Sequence, residues 1–483
     1  LDAIPAELAA EVALNTNGLD FSKYVSIGAS FTAGYTDGAM FKAAQENSFP
    51  NILAGKFGTE FKQPLMNDNI GGLVYGGTAV QPPRFYFNGA GPARLPAMPT
   101  TELTAVLSGP FNNFGAPGAK SFHLGVAGYG QLNPYFGRMA SSPGASVMGD
   151  ALAQSPTFFT LSEIGGNDVL GYALSGGSGV DQTGNYNPAT YGSSDITDPN
   201  VFASVFSGMV TALTANGAKG VVANVPYITN LANFTTVPFN ALDPSNPALA
   251  PQIDALNTQL YGPLKNIFTA YGEPNRINVL SKTAANPVLI FDENATDMSA
   301  QITGALTPVL GAPTASAFGA IFGKARQATG NDLLLLASST VIATPVAGVP
   351  SPINVNGVSY PLQDQWVLTP QEQSAIKTAT DAYNTTIAAI AASNPNVALV
   401  DFKGVLAEAS TGIKFDAYTL NTKLVTGGLI SLDGVHLTAR GYALMANKIL
   451  AAMDAEFGTN FTTATRGLAK AGDYPTNYSP ALR

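Results

Sequence analysis

Four short segments carry side chains suited to chemistry, and each lies where an apolar run stops. Residues 27–35 read IGASFTAGY, which sets Ser30 two residues past Gly28. A serine hydroxyl at the start of a helix lies near backbone N–H donors, as a nucleophile whose attack creates an oxyanion requires. An ordinary helix N-cap uses the same residue type. Residues 112–121 read NNFGAPGAKS, and Gly118 there offers a turn with a free N–H. Ala119 stands where a phosphate-binding loop needs glycine before its lysine, so that reading fails. Residues 164–168 read IGGND. The Asn167 amide can donate Nδ2–H to a developing negative charge; a turn-forming Asn-Asp pair is the plain alternative. Residues 431–438 read SLDGVHLT, with Asp433 three residues before His436. A carboxylate at that spacing can orient an imidazole through Nδ1–H and leave Nε2 free to take a proton. The chain has 2 histidines, His123 and His436, and of these His436 has the carboxylate partner at short spacing.

These segments need a scaffold. The apolar runs Tyr24–Ile27, Phe158–Ile164, Gly220–Val225 and Val397–Phe402 predict strands. Helical spacing predicts helices over Pro5–Leu14, Ala39–Lys56, Val201–Ala215, Thr369–Ala392 and Thr438–Phe457, with Pro370 and Thr438 as start signals. Thr59–Phe111 is loop-rich and Ser175–Asn200 is a polar excursion. Pro226–Pro370 reads as a long insertion that lines or covers the site. Within it we expect a helical Ala250–Tyr271, a buried strand starting at Leu333, and a two-residue hairpin at Asn356-Gly357. The chain after Gly458 is expected to be extended and superficial. Strands alternating with helices predict one α/β domain over residues 1–483, with a parallel central sheet and helices on both faces. Sites in such sheets lie beyond the carboxyl ends of the strands, where the four segments fall.

Composition narrows the chemistry. Of 483 residues, 46% are hydrophobic and 11% charged, against about 25% charged in ordinary domains. The net charge of −9, without a basic patch, argues against nucleic acid as a partner. With 0 cysteines, disulfides, thiolate metal sites and a cysteine nucleophile are excluded. No apolar stretch is long enough for a transmembrane span. No EF-hand pattern occurs, so neither metal nor cofactor is expected. The first residue is Leu1, and a removed signal peptide or lipid anchor fits an extracytoplasmic location.

The order Ser30, Gly118, Asn167, Asp433, His436 resembles that of the SGNH hydrolases, the GDSL esterase/lipase superfamily. The resemblance rests on GASFTAGY (28–35), NFGAPG (113–118), GGND (165–168) and DGVH (433–436). It implies a flavodoxin-like three-layer α/β/α sandwich, with Ser30 as nucleophile, His436 as base and then acid, and Asp433 orienting His436. It also implies an oxyanion hole made by the N–H groups of Ser30 and Gly118 and the Asn167 amide. Ala29 stands where that family carries Asp or Asn, and Leu437 where it often carries Pro. The expected activity is serine ester hydrolysis, by a carboxylesterase or lipase, on a small-molecule, lipid or acylated-carbohydrate ester. A carbohydrate O-deacetylase, or a non-catalytic glycan-binding protein on the same fold, is the alternative.

Overall fold

The computed structural model describes residues 9–483. Five strands form the central sheet: β1 (Tyr24–Gly28), β2 (Asn113–Gly115), β3 (Phe158–Leu161), β4 (Lys219–Ala223) and β5 (Val397–Val400). Their spatial order is 2-1-3-4-5 and every pairing is parallel. All of β1 and β3 is buried, which explains why these strands read as mostly apolar runs, broken by Ser26 and Thr160, rather than alternating ones. The register pairs Gly28 with Gly115 and Ile27 with Leu161. The ends of β1, β2 and β3 are thereby level, and the loops that follow them emerge together.

Seven helices matter for the site and the sheet. They are α1 (Ser30–Ala33), α2 (Phe49–Phe57), α3 (Asn167–Leu174), α4 (Pro199–Thr214), α5 (Pro370–Ser393), α6 (Phe402–Ala409) and α7 (Ala439–Phe457). α7 packs on α2, β4 and β5, while α5 packs on α3, α4 and the same two strands. Local signals set the ends. In α5 the Glu372 carboxylate takes the Thr369 N–H at 2.8 Å in a capping box, with Pro370 as the first helical residue. In α7 the Thr438 hydroxyl caps the Gly441 N–H at 3.0 Å, and Gly458 ends the helix at φ +70°.

A second hydrophobic cluster runs from Leu242 to Val367, around Tyr261, Phe268, Ile290 and Phe322. It is distinct from the cluster that fills the two sides of the sheet. No helix among the described residues is long and apolar enough to cross a membrane.

Several expected elements differ. Of the helix expected over Pro5–Leu14, residues 5–8 lie outside the described part and residues 9–14 are not helical. Val12 instead pairs with Thr465 and Asn15 with Asn460. The helix expected over Ala39–Lys56 is split into Lys42–Glu46 and α2, because Ser48 caps the second piece and Pro50 sits in its first turn. The run from Leu333 gives two strand residues and then a 3-10 turn over Leu336–Thr340, where the Thr340 hydroxyl bonds the Ala337 carbonyl at 3.0 Å. Asn356-Gly357 do form a tight turn, with Gly357 at φ +75° and the Val358 N–H on the Val355 carbonyl at 3.1 Å, but Val355 pairs with Pro345 and no hairpin follows. Phe402 starts a helix instead of ending a strand, capped by Asp401. The tail after Gly458 is not superficial: Phe461 and Ala471 are fully buried. Buried Arg84 also donates to the carbonyls of Ser479 and Leu482 at 2.8 and 2.9 Å.

Candidate active site

Ser30 is the first residue of α1, directly beyond β1. Its own N–H has no acceptor among the described residues. The turn that presents it is held from β3's end. Glu163 accepts the Ala29 N–H at 2.6 Å and the Thr32 N–H at 2.7 Å on one oxygen, and the Thr32 hydroxyl at 2.9 Å on the other. Burial pushes the Glu163 carboxyl up to about 7 against the pull of these donors. Its backbone is left-handed at φ +49°, a conformation uncommon outside glycine. A side chain at Gly28 would fall 2.1 Å from the Thr32 hydroxyl and 2.6 Å from the Glu163 carboxylate, so glycine is required for this approach.

The segment before α7 carries the other partners. The Asp433 carboxylate accepts the N–H groups of Val435 and His436 at 2.8 Å each, and the Gly38 N–H at 2.9 Å. Against the cost of burial, the His436 imidazole and these donors hold Asp433 well below the usual carboxylate range. His436 Nδ1 lies 2.8 Å from Asp433 Oδ2 and Nε2 lies 2.8 Å from Ser30 Oγ. With Asp433 ionised, Nδ1 carries the ring proton and Nε2 accepts from the serine. Phe31 and Tyr35 pack on the imidazole at ring-centroid distances of 5.1 and 4.6 Å. They fix its plane.

Residues 35–38 stitch this segment to the turn that carries Ser30. The Thr36 hydroxyl donates to the Leu437 carbonyl at 2.7 Å, and the Asp37 N–H donates to the Ser431 hydroxyl at 3.0 Å. The Leu432 N–H returns to the Asp37 carboxylate at 3.0 Å. Burial, reinforced by nearby Asp433, pushes the Asp37 carboxyl up to about 7.

The other two expected residues follow β2 and β3. Ala116, Pro117, Gly118 and Ala119 form a turn closed by the Ala119 N–H on the Ala116 carbonyl at 3.0 Å. Proline at its second position and Gly118 at φ +86° make it type II. The Pro117 carbonyl accepts from Asn133 Nδ2 at 2.8 Å, so the Gly118 N–H of the same trans peptide points the opposite way. That N–H has no acceptor among the described residues. Asn167 opens α3, and its Nδ2 donates one hydrogen to the Ala119 carbonyl at 2.9 Å, which leaves the second for a ligand. The neighbouring Asp168 is occupied structurally, accepting the Ser121 N–H and hydroxyl at 2.9 and 2.6 Å. His123 is also structural: Nδ1 accepts the Lys120 N–H at 3.0 Å and the ring stacks on Tyr129.

Ser30, Glu163 and Asn167 line a cavity of about 110 Å³ whose walls are mostly apolar. Leu170 of α3, Phe402 and Leu406 of α6, and Leu444 and Met445 of α7 supply those walls. Of the expected insertion, Pro226, Ile228 and Leu231 reach the lining. Further on, the Asn233 N–H bonds the Gly434 carbonyl at 2.8 Å, touching the segment that holds Asp433 and His436. The chain matches no protein-family model, no curated protein and no solved structure. The structure thus brings Ser30, His436 and Asp433 into one hydrogen-bonded chain and sets Asn167 on the same cavity as Ser30. Sequence reading missed Glu163, Asp37 and Asn133. Glu163 was hidden inside an apolar run, and only its adjacency to GGND hinted at the site.

Proposed function

We propose that this protein is a serine ester hydrolase of the SGNH type, acting through an acyl-enzyme. In this reading His436 takes the Ser30 proton as Oγ attacks the ester carbonyl. Asp433 stabilises the imidazolium that forms. The oxyanion is received by the N–H groups of Ser30 and Gly118 and by Asn167 Nδ2. His436 then protonates the leaving alcohol, and water attacks the acyl-serine by the reverse proton path.

The single observation that carries the proposal is the unbroken chain Ser30 Oγ–His436 Nε2, His436 Nδ1–Asp433, at 2.8 Å for each link. The strand order 2-1-3-4-5 supports the finer fold reading, a flavodoxin-like three-layer sandwich. In that order the direction in which successive strands are added reverses between β1 and β3, and both Ser30 and Asn167 lie beyond those two strands. The apolar walls beside Ser30 favour an acyl chain, and hence a carboxylesterase or lipase, over an acetyl-specific deacetylase. The test is hydrolysis of p-nitrophenyl esters from acetate upward by wild type and Ser30→Ala, with labelling by a serine-directed phosphonate. Activity and labelling that both vanish in Ser30→Ala support the proposal. A wild type that neither turns over any ester nor takes the label refutes it in favour of a binding protein.

A further inference from the structure

Away from Ser30, three carboxylates converge where the 242–367 unit meets the main body. Glu293 follows the strand Leu289–Phe291, Asp364 starts the 3-10 turn Asp364–Trp366, and Glu372 lies in the first turn of α5. One oxygen of each lies within 4.8 Å of an oxygen of the others. Glu372 is 3% exposed. Its Oε1 is committed to the Thr369 N–H and hydroxyl at 2.8 Å each. Its Oε2 is buried with no hydrogen-bond partner, as are Glu293 Oε2 and Asp364 Oδ1. Among the described residues none of the three joins an ion pair. The Lys324 ammonium bonds the Glu293 backbone carbonyl at 3.1 Å.

Buried carboxylate oxygens without partners are costly, and like charges at this distance repel. The Glu293 and Asp364 carboxyls also lie close enough to share a hydrogen bond when one of them holds a proton. The backbone packs closely on this cluster. After α3, Gly176 and Gly177 turn at φ +66° and +73°. A Cβ at Gly177 would fall 1.9 Å from Glu372 Oε2, and one at Gly176 2.2 Å from the Asp364 carbonyl.

We propose that Glu293, Asp364 and Glu372 form a Ca²⁺ site that staples the 242–367 unit to α5, beside the loop that ends α3. The donors are all oxygens, which selects a hard cation. Three carboxylates from separate segments, without a rigid octahedral frame, suit Ca²⁺ better than Mg²⁺. The sequence has no EF-hand, so the site is assembled by the fold alone. Its location is about 12 Å of helix from Asn167, along α3. The site does not depend on the reaction proposed at Ser30.

The experiment uses the full chain stripped with EDTA, titrated with CaCl₂ by calorimetry and with Tb³⁺ by luminescence excited through tryptophan. The chain has 1 tryptophan, Trp366, on the same turn as Asp364. Saturating Ca²⁺ is expected to raise Tm by about 3–5 °C over EDTA. Glu372→Gln, which keeps the capping oxygen, and Asp364→Asn are each expected to weaken binding on the order of 10–100-fold. Circular dichroism checks that both fold. A wild type without Ca²⁺ heat or Tb³⁺ emission overturns the proposal, leaving carboxyls that share protons. Equal affinity in wild type and both variants also overturns it, because the cation would bind elsewhere. Binding of Mg²⁺ without Ca²⁺ overturns the choice of ion.

Discussion

Replacing Glu163 by alanine tests whether the turn carrying Ser30 is held from β3. The change removes the acceptor of three donors: the Ala29 N–H at 2.6 Å, the Thr32 N–H at 2.7 Å and the Thr32 hydroxyl at 2.9 Å. A buried donor left without a partner costs about 1–3 kcal/mol. Glu163 borders the cavity, so water can reach part of the gap. The lower end applies, about 3–4 kcal/mol in all. The freed turn lets Ser30 drift, and a displacement of about 1 Å at a reacting atom costs on the order of 10²-fold in kcat. Glu163→Gln separates shape from charge. Its oxygen still accepts both N–H groups, and the Thr32 hydroxyl can accept from the new amide. The expected kcat stays within about tenfold of wild type, the difference between charged and neutral hydrogen bonds. The assay is kcat and KM on a p-nitrophenyl ester, with phosphonate labelling of Ser30 and thermal unfolding by circular dichroism. Stability carries a second readout. The folded carboxyl titrates at about 7 rather than 4.5, so the folded state binds its proton more tightly. Its stabilisation is full below 4.5 and is lost as pH rises through about 7, on the order of 3 kcal/mol. Glu163→Gln should lose that slope. A folded Glu163→Ala variant with wild-type kcat and labelling rate would refute the positioning argument. Equal damage in both variants would instead assign Glu163 a role in proton transfer.

Asn167→Ala should lower kcat on the order of 10²–10³ with little change in KM, the usual loss of one oxyanion donor; steady-state kinetics on the same ester checks it. Leu406→Trp should fill the cavity from α6. The ratio of long-chain to acetate hydrolysis is then expected to fall roughly tenfold or more, and an unchanged chain-length profile would mean that acyl groups lie elsewhere. Asp37 also titrates at about 7 when folded, above its ordinary 3.8, so its contribution is likewise lost as pH rises through about 7. Asp37→Asn keeps the oxygen that receives the Leu432 N–H and should flatten the fall of Tm between about pH 4 and 7, read from melts across that range.

What could be read along the chain was the set of places where apolar runs end. Ser30, Asn167 and Asp433-His436 each follow such an end or precede a well-signalled helix, and β1, β3, β4 and β5 were visible as buried strands. β2 was not: Asn113–Gly115 has no β-branched residue, and its strand conformation comes from pairing with Ser26–Gly28. The Ca²⁺ ligands proposed above were invisible for a similar reason, since Glu293, Asp364 and Glu372 share no local pattern and meet only through folding. Glu163 is the sharper case. In the SGNH reading the position before the nucleophile carries a polar side chain that helps hold the turn, and Ala29 has none. The backbone N–H groups of that turn still need acceptors, whatever residue stands at 29. Pairing of β3 directly beside β1 brings the residue after β3 within reach of them, and a left-handed kink at Glu163 turns its carboxylate underneath. The requirement therefore belongs to the loop's geometry and not to one sequence position. An alanine next to the serine is compatible with a working nucleophile because the adjacent strand supplies the acceptor.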